Sequence, residues 1–255
     1  MRVVFVHGAC VRDGEWWWHR TAAALAGEGV RSVAPGLPSC GEGGGTVEGT
    51  GTTVGGAGRR STEDVVPSSP DATGPGLAED VAAVRAVLTA DDEPAVVVGH
   101  SYGGIVVAEA AAGLDVVRHL LLVSSYLPEP GESLSTFGPD EPAPFLEVDP
   151  EGGTFTVRPD ALAGVFLQDC DAGTQRAATE RIARQSVSVL GAPVGAAAWH
   201  DVPSTYVVCT DDLGTPAAAQ RRFAERAGRV VELDAGHHPF LSQPTAVRDL
   251  VLGLG

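Results

Sequence analysis

The sequence predicts an α/β fold in three layers, a mainly parallel sheet of about six strands with helices on both faces. Three observations predict it. Short β-branched runs alternate with longer Ala-rich segments, the pattern of a sheet built with helical crossovers. The runs are apolar at successive positions rather than alternate ones, as strands buried on both faces require. The length of 255 residues suffices for one large domain with a substantial core. Residues 1–255 are therefore read as a single domain.

Taken in order, "VVFV" at 3–6 is the first strand and residues 18–27 the first helix. "RSVAP" around Val33 is the second strand. Residues 40–76 are rich in Gly, Thr and Ser and poor in apolar side chains. Such a stretch cannot offset its ordering entropy, so a long mobile loop is expected. A helix at 77–88, a strand at 95–100, a helix at 102–112 and a strand at 119–125 follow. Residues 127–200 are too long for a simple crossover. With Phe137, Phe145, Phe155 and Phe166 they are also too apolar for a linker. The run "TQRAATERIARQSVSVL" at 174–190 reads as helical, so a small helical cap over the sheet is expected here. A strand at 205–210, a helix at 216–227, a strand at 229–233 and a helix at 244–252 complete the chain.

Composition excludes several functions. The formal net charge of −16 repels nucleic acid and anionic membrane surfaces. No apolar run is long enough to span a bilayer. The opening "MRVVFVHG" leaves no room for a secretory signal, so a cytoplasmic location is expected. Cys10, Cys40, Cys170 and Cys209 are scattered without C-x-x-C spacing, which points to free thiols rather than disulfides or a zinc site.

"VVVGHSYGGIVVAEA" carries the strongest chemical signal. Gly99-His100-Ser101-Tyr102-Gly103 is a G-x-S-x-G at the junction of a buried strand and an Ala-rich helix, the context in which that motif presents a nucleophile. The turn strains the backbone, so the positions two residues either side must be small. The helix N-terminus adds positive potential beneath a developing oxyanion. Ser101 is the expected nucleophile, and a serine points to acyl transfer, where an Asp would point to epoxide or haloalkane opening.

Acyl transfer needs two N–H donors at the oxyanion. Tyr102, next after the nucleophile, supplies one. Ala9, in the "FVHGAC" loop after the first strand, supplies the other, with Gly8 letting the backbone turn inward. His7 is expected to play a structural, hydrogen-bonding part at the strand end. At least two of Trp16, Trp17 and Trp18 are expected in the core under the first helix, leaving one ring to line a pocket.

With "HGAC…W-x-W", "GHSYGG" and "GHHPFLSQP", the chain resembles the α/β-hydrolase superfamily. More narrowly it looks like the branch of plant methylesterases and hydroxynitrile lyases, with related actinobacterial hydrolases. The resemblance implies a three-layer α/β-hydrolase fold, a Ser-His-Asp triad, no cofactor or metal, a small helical cap, and a small-molecule ester or lactone as substrate. Three departures stand out. The antiparallel strands that open larger members are absent, Gly36 stands where the family usually has Asp, and the Gly-rich stretch has no counterpart.

The family's chain order is Ser, acid, His. "TDDLGTP" offers Asp211 and Asp212, and the family's spacing of the acid from a following Pro fits Asp212, with Asp211 a solvated neighbour or loop cap. Aligning "FLSQP" with the family's ending puts His237 on the base and leaves His238 a loop residue facing elsewhere. The function so implied is ester or lactone hydrolysis through an acyl-enzyme. Cyanohydrin cleavage on the same triad is an alternative, although it wants a cation in the pocket and residues 127–200 hold no lysine. A ligand-binding receptor that retains the triad is another.

Overall fold

β-branched side chains pack well on a pleated surface buried from both sides, and four such runs form the centre of a six-stranded main sheet whose two edge strands are partly exposed. The computed structural model describes residues 1–42, 74–138 and 143–254. The expected mobile loop therefore lies, for residues 43–73, outside the described residues. In chain order the first elements are β1 (Arg2–Val6), α1 (Gly14–Ala26), β2 (Arg31–Val33), α2 (Leu77–Leu88), β3 (Ala95–His100), α3 (Gly103–Ala110) and β4 (Val117–Val123). The segment after β4 holds β5 (Leu146–Asp149), β6 (Thr154–Val157), α4 (Pro159–Ala161), α5 (Ala172–Thr179), β7 (Gln185–Ser186) and α6 (Ser188–Gly191). The chain then closes through β8 (Ser204–Cys209), α7 (Ala217–Ala224), β9 (Arg229–Leu233), α8 (Pro239–Ser242) and α9 (Pro244–Leu252).

The main sheet runs β2-β1-β3-β4-β8-β9, and every pairing in it is parallel. Alternate residues of the four central strands feed two separate cores. Val4, Val6, Val97 and Leu122 pack with α2 and α3 through Val84, Leu88, Ile105 and Val106. Val3, Phe5, Val98 and Val123 pack with α1 and α9 through Trp17, Trp18, Leu25, Val247 and Val251. The three expected layers are thus present. Trp18 lies between Phe5 and Phe240, with ring centroids 4.4 and 3.9 Å away.

Two expectations of local structure change. Helix α1 starts at Gly14 rather than at residue 18, because the Asp13 side chain caps it by accepting from the Trp16 N–H. The segment 127–200 is not purely helical. It carries a small antiparallel sheet, β5-β6-β7, beside its short helices. The run 174–190 stops being helical at Thr179, since Gln185 and Ser186 pair instead with Phe155 and Thr154. Upstream of that pairing, Arg12 N–H donates to Arg181 O and Ala183 N–H to Cys10 O, so residues 10–12 and 181–183 run as an antiparallel pair. Among the described residues no helix is long and apolar enough to cross a membrane.

Candidate active site

From β1 the chain moves one way to β2, then returns to the other side of β1 for β3. The loops leaving β1 and β3 therefore diverge, and a crevice opens at their carboxyl ends. Gly8 and Ala9 leave β1 there, and Ser101 and Tyr102 leave β3. All four line one cavity of about 340 Å³.

Ser101 has φ of +49°, a left-handed conformation that costs a non-glycine residue energy and recurs at functional turns. The elbow is held from two directions. Its N–H donates to Val123 O, and its carbonyl accepts from the Ser125 hydroxyl at 2.6 Å. A side chain at Gly103 could not be accommodated, because its Cβ would stand 2.4 Å from the Val6 carbonyl oxygen. Gly8 also passes close, with a Cβ there meeting Ser101 Cβ at 3.0 Å. Among the described residues neither the Ala9 nor the Tyr102 N–H has a hydrogen-bond acceptor.

Asp212 lies in the turn just after β8 as a buried carboxylate. Its Oδ1 accepts from the Gly214 and Thr215 N–H groups at 2.8 and 2.9 Å. Its Oδ2 meets His237 Nδ1 at 2.6 Å, the Ser124 hydroxyl at 2.5 Å and Gln220 Nε2 at 3.1 Å. Burial pushes the carboxyl up, but His237, Ser124 and the Thr215 N–H outweigh it and hold it below the usual carboxylate range. Asp211 is exposed and makes no such contact. With Nδ1 committed to Asp212, Nε2 is the nitrogen of His237 left to exchange a proton, and the ring lines the same cavity as Ser101.

His238 is, as expected, a loop residue facing elsewhere than His237, but it is buried rather than free. Its Nδ1 hydrogen-bonds the Phe166 carbonyl at 2.9 Å, and its ring lies 5.0 Å from that of Trp17. The cause is that Trp17 of α1 and Phe166 pack against this turn, so both imidazoles are enclosed. Burial and the neighbouring His237 push the His238 pKa down to about 3, which keeps it neutral. His100 is likewise pushed well below its ordinary value by burial and by His237, and its Nε2 donates to the His237 carbonyl. Two neutral imidazoles and Phe166 thus pack around His237, with ring centroids 4.5 to 5.0 Å away.

His7 is buried with Nδ1 2.8 Å from Gly8 O and Nε2 3.4 Å from Glu42 Oε2. Glu42 also accepts from the Asp13 N–H. A Cβ at Gly36 would lie 2.7 Å from Glu42 Oε2. The carboxylate beside His7 thus comes from Glu42, which fills the space a side chain at 36 would need. Trp17 and Trp18 are buried in the core. Among the described residues none of Trp16, Trp17 and Trp18 lines the cavity.

Two residues at the site carried no motif. Ser124, at φ +40° just past β4, donates to Asp212 and stands 3.2 Å from His237 Nδ1. Gln220 is a fully buried amide on α7 that accepts from the Cys209 N–H and donates to Asp212. The available signal was positional: Ser124 follows the carboxyl end of the strand beside the nucleophile strand. Among the described residues the four cysteines are free, and no cluster of His, Cys, Asp or Glu suits a metal.

Phe145, Phe155, Leu162, Phe166, Ile182 and Leu190, from the segment between β4 and β8, wall the rest of the cavity. No charged side chain lines it among the described residues.

Comparison with known proteins gives a match to the alpha/beta hydrolase family over residues 3–250. An alpha/beta hydrolase of Aspergillus novofumigatus, nvfD, is 33% identical over 192 residues, covering 68% of this chain and 76% of that protein. A carbendazim hydrolyzing esterase of Nocardioides sp. is 26% identical over 270 residues, covering 99% of this chain and 98% of its own. The crystal structure of a pyrethroid hydrolase from Sphingobium faniae superposes with a TM-score of 0.77 at 22% identity, covering 99% of this chain and 96% of that one.

Proposed function

The chain belongs to the alpha/beta hydrolase family, and from that premise we propose that it hydrolyses a small, neutral carboxylic ester or lactone through an acyl-enzyme. The observation that carries this reading is the Asp212–His237 hydrogen bond beside a serine at positive φ on the same cavity. Ser101 Oγ attacks the carbonyl carbon as its proton passes to His237 Nε2, and Asp212 stabilises the imidazolium. The Ala9 and Tyr102 N–H groups receive the oxyanion. The alcohol leaves with the proton from His237. Water then gives a proton to His237 and its hydroxide to the acyl carbon, and as the acid is released His237 returns that proton to Ser101 Oγ.

An uncharged lining favours uncharged substrates, since a carboxylate would lose its hydration without a partner. The segment between β4 and β8 serves as the cap. Cyanohydrin cleavage wants a cation for the departing cyanide, and the chain contains no lysine at all, so hydrolysis is the better reading. The test is turnover of a short-chain p-nitrophenyl ester, together with labelling by a serine-directed phosphonate. An adduct on a serine other than Ser101, or no turnover across an ester and lactone panel, overturns the proposal.

A further inference from the structure

A second set of buried polar groups, away from Asp212 and His237, joins the two backbone segments that carry the oxyanion donors. Cys10, next after Ala9, has φ of +60°. Its N–H donates to Gln185 Oε1 at 3.0 Å. Gln185 Nε2 donates to the Ser39 hydroxyl at 2.9 Å. Ser39 donates in turn to Asp80, from Oγ to Oδ2 at 2.5 Å and from N–H to Oδ1 at 2.8 Å. The Tyr102 hydroxyl reaches the same Oδ2 at 2.7 Å. The chain of hydrogen bonds therefore begins beside one proposed donor and ends on the side chain of the other.

Every member is buried: Gln185, Asp80 and Tyr102 are fully enclosed, and Ser39 and Cys10 nearly so. Buried polar groups cost stability unless satisfied, and here each finds a partner of the right polarity. Asp80 receives three donors, as an ionised carboxylate can. The members come from five separate parts of the chain: the turn after β1, the turn at 38–40, α2, the turn between β3 and α3, and β7. Packing alone would be served as well by apolar side chains of the same size. A polar chain adds direction, because hydrogen bonds fix distances that dispersion contacts leave loose.

We propose that Gln185, Ser39 and Asp80 are positioning residues that set the gap between the Ala9 and Tyr102 N–H groups, so that a tetrahedral oxyanion fits between them. The inference rests on the acyl-enzyme reading above. It also gives β7 of the cap a direct hold on the oxyanion turn. Loss of one oxyanion donor costs roughly 10²–10³ in kcat. A displaced donor should cost less, about ten- to a hundredfold.

The experiment compares wild type with Ser39→Ala, Ser39→Thr and Tyr102→Phe, using a p-nitrophenyl ester for kcat and KM. Phenylboronic acid serves as the probe of the tetrahedral state. Ser39→Ala should lower kcat about ten- to a hundredfold with KM within about threefold, and weaken boronate binding by a similar factor. Ser39→Thr, which keeps the hydroxyl, should recover most of both. Tyr102→Phe breaks the chain at its other end with little change of shape, and so gives the same test if Ser39→Ala fails to fold. Combined with Ser39→Ala it should cost less than the product of the single losses. Variants that melt earlier yet keep kcat and boronate affinity when folded would show a purely structural network and overturn the inference. Wild type that neither turns over esters nor binds the boronate overturns the acyl-enzyme reading, and this inference falls with it. An active wild type with unchanged variants overturns this inference alone.

Discussion

Asp212 Oδ2 and His237 Nδ1 meet at 2.6 Å with both side chains shut off from solvent. A carboxylate so placed fixes the imidazole as the Nδ1–H tautomer and presents Nε2 as the acceptor. Asp212→Asn keeps the shape and turns that preference around. By analogy with the same change in a serine protease, and on the proposed acyl-enzyme reading, kcat should fall about 10⁴-fold with the fold intact. Circular dichroism and steady-state kinetics on the same preparation check this, and a loss under tenfold would refute it.

Ser101→Ala and His237→Ala should each remove nearly all turnover, on the order of 10⁶-fold, as the proposed nucleophile and base of one catalytic unit. His238→Ala should behave differently. It spares the base but leaves a hole against Trp17 and His100 and an unpaired Phe166 carbonyl. Stability should drop by about 2–4 kcal/mol, on the scale of other large-to-small core changes, while kcat of the folded enzyme falls at most roughly tenfold. Urea unfolding and assays at low temperature separate the two effects. An inactive but fully stable His238→Ala would mean that His238 is the base.

The enclosed histidines make stability depend on pH in a definite direction. The folded pKa of His238 is about 3 against an ordinary 6.5, so on acidification the unfolded chain takes up its proton first. Its contribution is fully present above 6.5 and is lost progressively as pH falls towards 3. His100 acts the same way, and the lowered carboxyl of Asp212 adds to the loss at still lower pH. His238→Asn cannot titrate, and its melting temperature should decline less steeply than that of wild type between pH 7 and 4.5. Parallel slopes would show that His238 is not held neutral.

Glu42 occupies the place that a side chain at residue 36 would need. Gly36→Asp alone should therefore destabilise the protein by roughly 1–3 kcal/mol through overpacking. The double change with Glu42→Ala should restore most of the loss by moving the carboxylate back to position 36. Thermal melts of the three variants decide it, and additive losses would show that the two positions do not share one space.

The sheet was legible chiefly at its centre, where burial on both faces leaves an unbroken apolar run, and β3 begins and ends where its run does. The elbow was legible because its backbone demands small residues at fixed offsets from the serine. Other features depend on contacts between distant parts of the chain. Gln185 reads as helical within its own stretch, and its pairing with Phe155 exists only once β6 is in place. Ser124 and Gln220 reach Asp212 from 88 and 8 residues away, through hydroxyl and amide groups that no local pattern marks. Two adjacent histidines in a turn suggested side chains facing different ways, and only the packing of α1 and Phe166 over them encloses both.

The antiparallel pairing of residues 10–12 with residues 181–183 bears on protein engineering. Exchange of the 127–200 segment between relatives is an obvious route to new substrate preferences, since that segment supplies most of the apolar wall. Here its backbone is hydrogen-bonded to the turn after β1, so a graft that ends at the boundaries of the insertion cuts through a shared ladder. A chimera should carry the donor's 8–13 turn along with the segment, so that the exchanged unit is discontinuous in the gene and contiguous in space.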